Sequence, residues 1–384
     1  MVTLSFGVVL PDIREELGFG LSAAGLLSSA SWMLPAVLGV PLTLFAVRFR
    51  PKPLYLMVIA VASVLLLAQA TAINFSMLLI SRLAFSLIAP LMFTAGTLFR
   101  TQWIPKRELG LVMGIQFGTI MLGQAASLIA LPVFISMLGG WRPTFIAYAI
   151  FSVFLLVIWI LFGKERDSEE YMAERRLGKP SASFMTIFKY REFWMLGVAI
   201  FGNVIPQMAI FAFWPTFLIE VRNVNIQMAG LMLAIFPLGG FVAALTVGPF
   251  SDRIGLRKPL IWPFGLLSPI TYCMLMLDLP VGVLCIVSFV GGFLSLAPVT
   301  PSLAVPFELP DIKPSEVAVG ASFQNMIQAF GFFLGPLLVG VLAESIFENN
   351  LIPAMFAVSI APLTVTIMGL AIRETGHGRS VSRS

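Results

Sequence analysis

The chain has 384 residues, 58% of them hydrophobic and 11% charged, with a net charge of +5 and a mean hydropathy of +0.96. Soluble domains carry about 25% charged residues, so this composition excludes an ordinary soluble domain and points to a chain embedded in lipid. Cys273 and Cys285 fall inside apolar runs and set no disulfide framework, and the single histidine, His377, sits in a polar tail. There is no zinc-ligand spacing, Gly-rich nucleotide loop or nucleophile elbow. An enzyme is therefore not expected, nor a cofactor, a metal or a nucleic-acid partner.

About 20 apolar residues suffice to cross a ~30 Å hydrocarbon core as a helix. In chain order such crossings are predicted over 21–46, 54–72, 75–99, 109–137, 143–162, 193–218, 227–250, 259–277, 280–306, 317–343 and 351–372, eleven in all. Ahead of them residues 1–10 are apolar and stop at Pro11-Asp12, a stretch too short to span as a helix. The one long polar connection, 163–192, is rich in mixed charge and reads as a linker.

An internal repeat orders these crossings. Ala24-Gly25-Leu26 matches Ala229-Gly230-Leu231, Arg48 matches Arg253 and Glu15 matches Glu220, all at an offset of 205; Gly114 and Phe117 match Gly320 and Phe323 at 206. Two six-helix halves are expected, 1–162 and 193–372, joined by the linker and followed by a tail at 373–384; parallel repeats of this kind occur in transporters. On that offset the counterpart of 193–218 starts about a dozen residues before Met1, so the chain is expected to begin inside its first helix.

Lys and Arg set the orientation. Placing residues 248–258 on the cytoplasmic side gives that side 20 bases against three outside (Arg14, Arg142, Arg222), with Arg82 inside the membrane. Twelve crossings with both termini cytoplasmic, in a cell or inner membrane, are expected.

Residues 248–258 read Gly248-Pro-Phe-Ser-Asp252-Arg253-Ile-Gly255-Leu-Arg257-Lys258 and are predicted as a short polar loop. Charge bias alone explains the bases but not the spacing of glycines and acid. The stretch resembles the loop signature of the major facilitator superfamily, found there between helices 2 and 3 and again between 8 and 9. Trp103-Ile-Pro-Lys-Arg-Glu and Gly140-Trp-Arg-Pro-Thr-Phe145 also look like stretches of that family. The resemblance implies an all-α, twelve-helix membrane bundle that moves a solute by alternating access. It implies a gating role for Gly248, Asp252, Arg253, Gly255, Arg257 and Lys258, with Asp252 paired to nearby bases or a helix N-terminus. The first-half copy departs from the pattern: Thr43 stands for the first glycine, Val47 for the acid and Arg50 for the second glycine.

Arg82 lies about eight residues into the fourth crossing, where a charge costs at least a few kcal/mol. It is either a solute or proton site, as an arginine early in helix 4 is in the family, or a structural cap for carbonyls of a neighbouring helix. Further polar candidates inside crossings are Ser28, Ser29, Ser31, Gln116, Gln124, Asn203, Gln207, Gln324, Asn325 and Gln328. Asn203 and Gln207 share a helix face, as do Gln324 and Gln328. The resemblance makes the amides solute-binding; interhelical hydrogen bonds worth about 0.6 kcal/mol each are the other reading. Pro298 and Pro301 follow Gly291-Gly292 and predict a bend, which serves either as a gate or as a static kink.

No Asp or Glu occupies the middle of a complete crossing. The leading expectation is a secondary carrier of a small organic solute, with Arg82 as the only deep charge, set against no deep acid in the sequence, favouring an organic or small anion, and with the protein monomeric in the bilayer. Efflux of lipophilic drugs is the alternative, and a non-transporting membrane sensor a third.

Overall fold

A computed structural model of the chain describes residues 2–46, 48–104, 109–166, 190–309, 312 and 314–376. Among these residues there are helices and no strands: α1 (Val2–Leu17), α2 (Leu21–Ala46), α3 (Pro51–Ala70), α4 (Phe75–Ser86), α5 (Ile88–Trp103), α6 (Leu109–Leu138), α7 (Trp141–Phe162), α8 (Arg191–Thr216), α9 (Ile226–Ile254), α10 (Trp262–Met274), α11 (Val281–Leu296), α12 (Val299–Ala304), α13 (Pro314–Ser345), α14 (Leu351–Ser359) and α15 (Leu363–Ala371). Ten spans among the described residues are long and apolar enough to cross a membrane. Helices α1, of 16 residues, and α10, of 13, are shorter than such a span. Most of the 163–192 linker lies outside the described residues.

Prolines explain where single crossings appear as two helices. Pro90 cannot donate to the Ser86 carbonyl and its ring crowds it, so α4 gives way to α5 at Leu87. Pro298 separates α11 from α12 and Pro362 separates α14 from α15 in the same manner. The apolar start belongs to α1, which continues through Pro11-Asp12 to Leu17, with Phe6, Val8, Val9, Leu10 and Ile13 buried. Burial against protein is what allows a membrane helix to carry an interior proline. The predicted 248–258 loop is shorter than expected: α9 continues to Ile254 and ends where Gly255 turns left-handed (φ +66°), a backbone region that glycine enters without steric cost.

The chain forms two compact units, one of residues 1–29, 118–133 and 181–384, the other of 30–117 and 134–180. In the first, α8 is the central element, almost wholly buried, with α13, α15 and α1 packed on it. Helices α9 and α11 cross at a mutual glycine contact: a Cβ on Gly239 would strike the Phe289 carbonyl, and one on Gly292 the Phe236 carbonyl. Helix α2 opens in the same unit, its Ser22 amide donating to the Glu344 carboxylate at 2.6 Å. In the second unit α3 packs against α7 and α5, joined by Ser63 Oγ donating to Ser152 Oγ at 2.8 Å and by the Tyr55, Phe99 and Trp159 rings.

Close approach through small residues replaces the hydrophobic drive that lipid removes. Gly292→Val should therefore lower the stability of detergent-purified protein by about 1–3 kcal/mol, read as a fall in melting temperature. Gly282→Val, where a Cβ meets nothing within 4 Å, should stay within about 0.5 kcal/mol.

Candidate functional site

Arg82 sits on α4 with only 2% of its surface exposed. Its Nη2 donates to Ser31 Oγ on α2 at 2.7 Å, so one guanidinium bridges two membrane helices of the same unit. Ser81 beside it turns its hydroxyl to the Leu78 carbonyl at 2.8 Å, leaving Arg82 as the polar group that α4 aims across. A guanidinium so placed offers up to five donors in a planar fork, suited to a carboxylate or another oxyanion.

The amides do not form one cluster. Asn203 on α8 is buried, its Nδ2 donating to the Ser295 carbonyl at 2.9 Å, with Oδ1 meeting no partner among the described residues. Gln207, one turn on, is half-buried. On α13, Gln324 is buried with an unmatched Nε2, Asn325 is exposed and Gln328 half-buried. Gln116 belongs to the second unit and accepts from Arg100 Nη1, whereas Gln124 belongs to the first. The described hydrogen bonds join none of these amides to another.

The signature stretch is assembled around Arg257. Its Nη1 donates to Asp252 Oδ1 at 2.6 Å and to Ser251 Oγ at 2.9 Å; its Nε and Nη2 grip Glu308 at 3.0 and 2.7 Å. The bonds from Glu308 hold the Arg257 pKa above its ordinary value, with Asp252 adding to this and burial opposing it. Glu374 then accepts the backbone amides of Arg257 and Lys258 at 2.7 and 3.0 Å, and Thr375 donates to Glu308 at 2.8 Å. Lys258 Nζ reaches the Leu370 carbonyl, and Arg253 stays exposed. A Cβ on Gly248 would lie 2.7 Å from Thr300 Cγ2, so this glycine lets α9 approach α12 beside Pro298 and the buried Pro301. The acids Glu308 and Glu374 were missed as partners: they stand 51 and 117 residues from Arg257, and no short motif contains them.

The first-half copy keeps one part of this arrangement. Glu165 accepts the Lys52 backbone amide at 2.8 Å and pairs with Arg50 at 3.6 Å. Val47 lies outside the described residues.

The family model of the Major Facilitator Superfamily matches residues 1–336 and again 223–384. The chain belongs to the Major Facilitator Superfamily. It is a multi-pass membrane transporter, not an enzyme, as are the superfamily relatives it matches. A probable nitrate/nitrite antiporter of Thermus thermophilus is 23% identical over 414 residues, covering 97% of this chain and 90% of that protein. A probable sulfoacetate transporter of Cupriavidus necator is 24% identical over 66% of this chain and 62% of its own length. A probable L-galactonate transporter of Escherichia coli is 24% identical over 65% and 57%. A solved bacterial homologue of the human lysosomal transporter Spinster, inward-facing and unoccupied, superposes with a TM-score of 0.76 at 16% identity, over 96% of this chain and 90% of that one. That likeness shows the superfamily fold.

Arg257 and Glu308 keep only 10% and 11% of their side-chain surface exposed, whereas Asp252 keeps 69%. Breaking a buried pair from one side leaves an unmatched charge. Glu308→Gln should thus cost about 3 kcal/mol of stability and Asp252→Asn less than about 1 kcal/mol, measured by thermal unfolding of the purified carrier.

Proposed function

We propose that this superfamily member is a secondary carrier of a small anion, organic or inorganic, moved by rocking of two six-helix halves, 1–162 and 193–372, about the 163–192 linker. The observation that carries the reading is Arg82, a guanidinium 2% exposed within a membrane helix. A charge at that depth is costly and marks a functional site by default. The relatives named for nitrate, nitrite, sulfoacetate and galactonate support the anion, since each of those solutes is negatively charged at neutral pH.

In this reading Arg82 binds the anionic group. Gln116, Gln124, Asn203, Gln207, Gln324, Asn325 and Gln328 supply hydrogen bonds to the rest of the solute. Gly248, Asp252, Arg253, Gly255, Arg257 and Lys258, with the bend at Pro298 and Pro301, hold and release the gate. The carrier lies in the cell membrane as a monomer, both termini cytoplasmic.

A ligand at 100 times its dissociation constant stabilises the state it binds by about 2.7 kcal/mol. Thermal unfolding of the purified protein against nitrate, acetate, sulfoacetate and galactonate should show a shift of that order for at least one anion. Arg82→Gln should abolish the shift while the unliganded protein still melts cooperatively. A shift given only by lipophilic cations such as tetraphenylphosphonium, and kept by Arg82→Gln, would replace this reading with drug efflux.

A further inference from the structure

The crossing that carries Arg82 holds a second cation in an unusual posture. Arg100 lies near the C-terminal end of α5, where a long basic side chain ordinarily runs past the helix end to reach water. It does the opposite. Its guanidinium folds back along its own helix to stand over the Phe93 ring, 5.8 Å from the centroid. From there Nη2 donates to Thr97 Oγ1 at 2.6 Å and Nη1 to Gln116 Oε1 at 2.5 Å. The Thr97 hydroxyl gives its own proton to the Phe93 carbonyl at 2.9 Å, which leaves its lone pairs for Arg100.

Each of these partners is neutral: a ring, a hydroxyl and an amide. Among the described residues no carboxylate meets Arg100. Among the described residues the partners of this half-buried guanidinium give it no countercharge and engage two of its five donors. Gln116 strengthens the case. Its carbonyl oxygen is committed to Arg100, so its amide NH₂, a pure donor, is what it offers to anything arriving beside the guanidinium. Arg100 stands eighteen positions after Arg82, about five turns of helix and about 27 Å. Arg82 and Arg100 thus belong to one crossing, on either side of the break at Leu87.

We infer that Arg100, braced by Thr97 and Gln116, is a second anion-holding station on the same crossing as Arg82, taking a small oxyanion such as nitrate or a carboxylate in the fork of its guanidinium. The inference rests on the anion reading of the carrier and names a second residue that sets its affinity.

The test is uptake into proteoliposomes containing the full chain, with nitrate, acetate and sulfoacetate as probes. For the anion that wild type transports, Arg100→Gln should raise KM at least tenfold while the maximal rate stays within about threefold. Arg100→Lys, which keeps the charge and loses the fork, should recover much of that KM. Gln116→Leu should raise KM by a smaller factor. Wild-type uptake that depends on Arg82, with KM unmoved in Arg100→Gln, would overturn the second station and leave the carrier's anion reading intact. Equal loss of rate and melting temperature in the Gln and Lys variants, without a KM change, would make Arg100 a structural clamp and likewise overturn it. Uptake of none of the three anions by wild type would remove the anion reading and this inference together.

Discussion

Hydrocarbon offers no partner to a peptide group, so every polar atom that enters it must be met from within the protein. The helices follow from that constraint, and so do their interruptions. Prolines 90, 298 and 362 each leave a carbonyl without its helical donor and split a crossing in two. Such breaks survive only where protein rather than lipid surrounds them. The same constraint governs the side chains. Asn203 turns its amide to the Ser295 carbonyl, Trp214 its indole N–H to the Leu275 carbonyl, and Ser288 its hydroxyl to the Met232 carbonyl. Because lipid provides no hydrophobic pressure between helices, glycine carries the close crossings. Gly239 and Gly292 let α9 meet α11, and Gly25 and Gly340 let α2 meet α13.

The two sequence repeats have diverged in residues more than in physics. By sequence the first-half copy of the signature has lost its glycines and its acid. Yet Glu165 accepts the Lys52 amide just as Glu374 accepts the amides of Arg257 and Lys258. In each half a carboxylate that follows the sixth crossing caps the chain where the third crossing begins. Free amides at a helix start carry partial positive charge, so a carboxylate there is favoured on both electrostatic and hydrogen-bonding grounds. Among the described residues the cap is present in both halves and the buried Arg257–Glu308 pair in the second. The second half thus ties three chain segments together at this end: the α9–α10 turn, the segment after α12 and the segment after α15.

What could be read from the sequence follows the range of the interaction. Crossing positions were legible because twenty apolar residues are a local signal: the predicted 21–46 agrees with α2, and 109–137 with α6 to a single residue. Arg82 stood out as a lone charge in an apolar run, and Gly255 as a turn glycine. What buries α1 was not legible, since α8 is brought against it only by the fold. The partners of Arg257 were hidden for a similar reason, because Glu308 and Glu374 are brought to it only by the fold. Arg100 was counted simply as one more base at a helix end. Which way its side chain turns depends on Gln116, which lies on a different helix.

The spacing of the two arginines matters for the electrostatics of transport. At helical rise Arg100 stands about 27 Å along the crossing from Arg82, and two positive charges at that distance in a medium of effective dielectric 20 repel by about 0.6 kcal/mol. The repulsion is small enough for both to remain charged in the folded carrier. It is also comparable to thermal energy, so an anion held at one arginine lowers the field at the other. A carrier must bind its solute strongly enough to strip it of water and weakly enough to release it. The two stations proposed for this crossing would meet both demands: each would need to hold the anion only modestly, and the departure of the anion from one would restore the attraction of the next.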